Sequence, residues 1–128
     1  GMSFSNYLET KILDHVFGGT AYTAPGTLYL ALFTAVSSGE TGSVTEVSGT
    51  AYTRKSVAFT TSGDTTSNTA AVEFDTAGSN WGTVTHVGIY DASSAGNLMA
   101  YAALSSSKTI ESGDVFRVPA GDLDITLN

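Results

Sequence analysis

This sequence predicts an all-β fold, a β-sandwich or jelly-roll, with one amphipathic helix at its N-terminus. Three features carry that expectation. Apolar residues recur near every fourth position over residues 4–17. The period then drops to two and stays there through a series of short runs separated by Gly, Ser, Asn and Asp clusters. No second helical pattern alternates with those runs, which argues against an α/β arrangement.

The elements follow in chain order. Phe4, Leu8, Ile12 and Val16 lie four apart, and Leu13 and Phe17 widen the stripe, which is the pattern of a helix with one apolar face. Ser3 or Ser5 supplies a side-chain oxygen to cap its start, and Gly18 can take the left-handed conformation that ends it. Beyond it, eight stretches read as strands: TLYLALFT (27–34), AYTRKSVAFT (51–60), TAAVEFD (69–75), WGTVTHVGIYDA (81–92), NLMAYAALS (97–105), KTIE (108–111), VFRVP (115–119) and DLDITLN (122–128). The fourth and fifth flank the turn-rich DASSAGN, so they form a hairpin. Residues 35–50 show no buried face in either period and are expected to be an exposed, mobile loop, and residues 60–69 a shorter one. The division expected is a single domain over 1–128, with the helix at about 4–17 and the sandwich at about 27–128.

Composition narrows the function classes. A chain of 128 residues is long enough to bury one core, and 41% hydrophobic with 13% charged residues suits a globular fold. The net charge of −7 opposes a phosphate backbone, and Lys11, Arg54, Lys55, Lys108 and Arg117 form no run longer than two, so nucleic acid is not an expected partner. No apolar run approaches the roughly 20 residues of a membrane-spanning helix, and no signal-peptide pattern opens the chain, so no membrane contact is expected. With no cysteine, disulfides, thiolate metal sites and cysteine nucleophiles are excluded.

The residues that could do chemistry each have a plainer explanation. ASSAG (92–96) lacks the first Gly of a nucleophile elbow and sits in a hairpin loop, where Ser93 and Ser94 are turn residues. Of the two histidines, His15 falls in the last turn of the helix, where the macrodipole favours a cation, and His86 lies mid-strand with Gly88 and Tyr90. Two scattered histidines do not make a zinc site. SGD (112–114) and GDLD (121–124) place carboxylates near turns, but without EF-hand spacing. Asp122 and Asp124 share a strand face opposite Leu123, Ile125 and Leu127, which reads as the solvent side. Trp81 with Tyr52 and Tyr90 could form a stacking platform for sugar rings, or Trp81 could sit in the core. No phosphate-binding glycine motif occurs among the 14 glycines. No catalytic, cofactor-binding or metal-binding residue is therefore expected, and no cofactor.

Three long segments carry a family resemblance: MSFSNYLETKILDHVFGGTAYTAPGTLYLALFT, WGTVTHVGIYDASSAGNLMAYAALSSSKTIESGD and VPAGDLDITLN. Together they resemble small phage and prophage proteins described as tail-fibre or virion structural proteins. THVGIYDA, GNLMAY and SKTIESGD are also similar to the hairpin of tail-collar and tail-fibre attachment domains. The resemblance implies a non-enzymatic component of the tail or tail-fibre region that holds other virion proteins in place, resident in the virion and, before assembly, in the host cytoplasm. It implies homo-oligomers. The alternatives are a capsid decoration protein, or a carbohydrate-binding module using exposed aromatics. The residues expected to contact a partner are Phe4, Leu8, Ile12, Val16 and Trp81.

Overall fold

In a computed structural model describing residues 1–128, the chain folds as eleven strands and one helix. The strands are β1 (Ser3–Phe4), β2 (Leu28–Ser38), β3 (Ser43–Glu46), β4 (Lys55–Val57), β5 (Phe59–Ser62), β6 (Thr65–Asn68), β7 (Val72–Glu73), β8 (Gly82–Tyr90), β9 (Leu98–Ile110), β10 (Arg117–Val118) and β11 (Asp124–Thr126). The helix, α1, spans Asn6–Val16. All pairings are antiparallel. A six-stranded sheet runs β1-β9-β8-β2, and the far edge of β2 is shared by β4, opposite Leu28–Leu30, and β3, opposite Phe33–Ser38. Two smaller sheets, β11-β6-β5 and β10-β7, complete the fold.

Alternation along β2 explains the layering. Leu30 and Leu32 point to one side and Ala31 and Phe33 to the other, and all four are fully buried, so this central strand is covered on both faces. On the first side, Leu30 and Leu32 join Val87, Ile89 and Ala100 of the same sheet in one cluster with Val72, Val118 and Leu123 from the smaller-sheet side. That shared core is what makes the fold a two-layer β structure. On the second side, Ala31, Phe33, Tyr90 and Leu98 form a smaller cluster beside the half-buried Val36, Val44 and Tyr101. Gly88 makes this second cluster possible. A Cβ there would lie 2.5 Å from the Phe33 ring and 2.8 Å from Leu98 Cδ1.

The predicted fold class holds, and several boundaries move. The helix is shorter than 4–17 because Phe4 belongs to β1, paired with Ala100, and Ser5 is the N-cap, its Oγ accepting the Leu8 N–H at 3.3 Å. Gly19, at φ +71°, takes the left-handed conformation expected of Gly18. No helical residue is buried. Leu8 and Ile12 are half-buried, whereas Leu13, Val16 and Phe17 are 58%, 60% and 81% exposed.

Residues 35–50 are not a loop. β2 continues to Ser38 and returns through β3, with irregular register between Phe33 and Ala35 and between Val36 and Ser38. Such bulges put side chains out of alternation, which is why the segment shows no period. It also has buried positions: Val47 is 5% exposed, and Gly49 lies where a Cβ would meet Trp81 Cδ1 at 2.3 Å. Residues 60–69 likewise hold most of the β5-β6 hairpin, which turns through Gly63 at φ +62°. Its Ser and Thr residues occupy both faces, so alternation is invisible in the sequence. KTIE is the end of β9, reached past a break in register where Val84 faces Lys108 and His86 faces Ala103.

Candidate functional site

The most organised polar cluster surrounds the β8-β9 hairpin loop, residues 91–97. Asp91 closes the loop, its carboxylate accepting the Asn97 backbone N–H (2.7 Å) and side-chain Nδ2–H (2.9 Å). Gly96, at φ +73°, leaves no room for a side chain, since a Cβ would lie 2.6 Å from Asp91 Oδ1. Arg54, from the segment before β4, then pins the loop. Its Nη1 donates to the Ala92 and Ala95 carbonyls at 2.9 and 2.7 Å. Nε and Nη2 each donate to the Glu46 carboxylate at 3.0 Å, the two-pronged match to which guanidinium geometry is suited. The Arg54 guanidinium lies 3.6 Å over the Tyr90 ring.

Tyr52 extends the network inward. Its hydroxyl donates to Glu46 Oε2 (2.6 Å) and accepts the Leu32 N–H (3.0 Å). Burial and the hydrogen bond to Glu46 push the Tyr52 pKa far above the ordinary phenol value, while the Leu32 N–H acts the other way. Burial lowers the Arg54 pKa, but the bonds and charge of Glu46 outweigh it and hold the guanidinium charged. The donors of this cluster that point at protein are matched by acceptors, so its chemistry is that of a rivet between β2, β3 and the hairpin loop. Sequence reasoning missed it. Arg54 and Glu46 fall in segments read as a strand and a loop, and no local spacing links Arg54 to Ala92 or Ala95.

The other predicted candidates also have structural partners. His15 Nδ1 accepts the Tyr22 N–H at 3.0 Å, and His86 Nδ1 lies 2.8 Å from Thr85 Oγ1. Asp114 accepts the Glu111 N–H, and Asp124 sits 3.6 Å from the N-terminal amine. No group of three or more His, Asp or Glu side chains could hold a metal ion. Of the Asp122/Asp124 strand, Leu123 is buried as expected, but Leu127 is 58% exposed. Trp81 is only 5% exposed and donates Nε1–H to the Thr50 carbonyl, with Tyr52 packed edge-on at 5.5 Å. Its ring faces the core, so Trp81 presents neither a sugar platform nor a partner contact on this surface.

The outward-facing surface includes apolar groups and an unpaired strand edge. The end of α1 exposes Leu13, Val16 and Phe17. β1 covers only Ala100 and Tyr101 of β9, leaving the outer edge of that strand without a sheet partner from Ala102 onward. A groove of about 510 Å³ follows this edge, bordered by Met2, Leu104 and Phe116. A second hollow of about 550 Å³ lies at the start of α1, bordered by Ser5, Asn6 and Tyr7, the loop residues Ala95 to Asn97, and Arg54. Unpaired strand edges and exposed apolar groups are the usual material of assembly contacts.

Residues 3–126 match the family model described as podophage GP4 fiber I protein gp80. The chain belongs to this family of phage fibre proteins. The match runs from β1 to β11, so it includes the helix, the Arg54 rivet and all three sheets. The family is one of phage tail-fibre proteins, which places the chain among virion structural components and agrees with the resemblance carried by the hairpin and both ends. No curated protein matches the chain.

Proposed function

We propose that the chain is a non-enzymatic structural part of a phage tail fibre, acting through protein–protein contacts, with copies of itself and with other virion proteins. The family match over residues 3–126 carries this reading. Three further observations support it. The polar network at Arg54 is internally matched, and both histidines engage neighbouring groups of their own chain. The free resources of the surface are a strand edge and an apolar helix end. A core cluster running from Met2 to Leu123 supports a single domain over 1–128. The −7 charge supports partners other than nucleic acid, and no helix is long and apolar enough to cross a membrane. On this reading the protein resides in the virion, after a period in the host cytoplasm.

Purified particles test the proposal. Peptides from this chain are expected in virion digests, with antibody label at the tail in electron micrographs. Label confined to the capsid would favour the decoration reading, and absence of the chain from purified particles would refute both.

A further inference from the structure

The N-terminal arm, β1 with α1, is joined to the rest of the protein in an unusual way. Its seat is specific. Ser3 and Phe4 pair with Tyr101 and Ala100, the Ser5 N–H donates to the Met99 carbonyl and the Ser5 hydroxyl to the Leu98 carbonyl, and Met2 N–H donates to the Asp124 carbonyl. Met2 is buried in the main core. The tether is the opposite. Residues 17–27 are exposed apart from the half-buried Tyr22 and Pro25, and no backbone group of residues 21–27 bonds to any strand. Fully extended, this segment of about ten residues spans roughly 35 Å. The Asn6 N–H also donates to the Glu40 carbonyl in the β2-β3 turn, so the seat is built from β9, β11, that turn and the core around Met2, and nothing in it depends on which chain supplies the arm.

Two further features bear on the arm. Two hollows flank it, one bordered by Met2 and the other by Ser5, Asn6 and Tyr7. The exposed Leu13, Val16 and Phe17 lie where the arm meets its tether, and they have no cover in the single chain.

We infer that the arm is exchanged between copies of this protein: β1 and α1 of one chain occupy the seat on β9 of the next. An exchanged arm makes the same seat contacts as a retained one, so the balance rests on the tether and on contacts new to the assembly. The tether makes no backbone bonds to the sheets that exchange would break. The apolar trio at its root is exposed in the single chain and adds contact surface once two copies meet. The occupant of the seat is therefore a second copy, chosen because its arm is the one segment already known to fit. This inference rests on the reading of the chain as a self-assembling component.

The protein has no cysteine, so introduced thiols report without interference. Ser3→Cys and Tyr101→Cys chains, made separately, are mixed, refolded together at about millimolar concentration and oxidised. Exchange predicts a reducible species of twice the 13.2 kDa chain mass that contains a peptide joining position 3 of one chain to position 101 of another, which neither variant alone can yield. If the variants fail to fold, the neighbouring register pair, Phe4→Cys with Ala100→Cys, gives the same readout. In the chain carrying both substitutions, a disulfide formed only within single chains of an oligomer would overturn exchange while leaving self-assembly intact. A monomer by light scattering at that concentration would overturn both.

Discussion

At the scale of single residues, Arg54 and Tyr52 matter most because each joins segments distant in sequence. The Arg54 side chain is 7% exposed and its Glu46 partner 26%, so removing it leaves a largely desolvated carboxylate and two carbonyls without their donor. Arg54→Ala is expected to lower the unfolding free energy by about 3 kcal/mol, read from urea denaturation. Arg54→Lys should recover part of that, since a lysine keeps the charge but not the fork. Tyr52 makes the protein sensitive to alkali. Its folded-state pKa lies above the ordinary value of 10.0, so the folded chain keeps its proton where the unfolded chain loses it. The associated stability is fully present below pH 10 and is lost as the pH rises above it towards the folded value, at up to about 1.4 kcal/mol per pH unit. Tyr22, Tyr90 and Tyr101 shift in the same direction, each mainly through burial. Denaturation curves between pH 9 and 11 should therefore fall less steeply for Tyr52→Phe than for the natural chain. Equal slopes would count against the buried Tyr52–Glu46 bond.

At the scale of elements, the contrast is between residues 33–46 and residues 21–27. The first lies mostly within residues 35–50, where the sequence predicts an exposed, mobile loop, yet it carries the β2-β3 ladder. The second has no backbone bond to a strand. Amide exchange should therefore be slow at the ladder positions of β2 and β3 and fast across 21–27, and the reverse order would contradict the fold. The arm is the other informative element. Ser5 both caps α1 and bonds to the Leu98 carbonyl, while being 2% exposed. Ser5→Ala should cost about 1 kcal/mol as a lost cap and should speed exchange throughout α1 while β8 and β9 stay protected. Phe17, by contrast, anchors nothing in the single chain.

At the scale of the whole molecule, charge opposes the proposed self-assembly. Of the five cationic side chains, Arg54 and Lys55 already pair with Glu46 and Asp75, so neighbouring copies approach with a net −7 each. Screening shrinks the reach of that repulsion from about 30 Å at 0.01 M salt to about 8 Å at 0.15 M. Self-association measured by light scattering should strengthen over that range. Weakening with salt would mean that ion pairs, rather than strand edges and the apolar helix end, hold the copies together.

How much of this was legible in the sequence depends on the range of the interaction. Alternation along Val87, Ile89, Leu98 and Ala100, with a turn cluster between, was enough for the β8-β9 hairpin, because side-chain direction in a strand follows from local backbone geometry. The helix was legible for the same reason, and so was the choice of an all-β class. β1 was not, since two residues carry no period and it exists only because the edge of β9 is there to receive it. The β2-β3 ladder was hidden by its bulges, and the β5-β6 hairpin by Ser and Thr on both faces. Tertiary structure alone decided that Trp81 faces inward, that Val16 and Phe17 face solvent, and that Arg54 meets Glu46, Ala92 and Ala95. A period shows which side chains share a face. Which neighbour covers that face is set by contacts between residues tens of positions apart, and no local pattern records those.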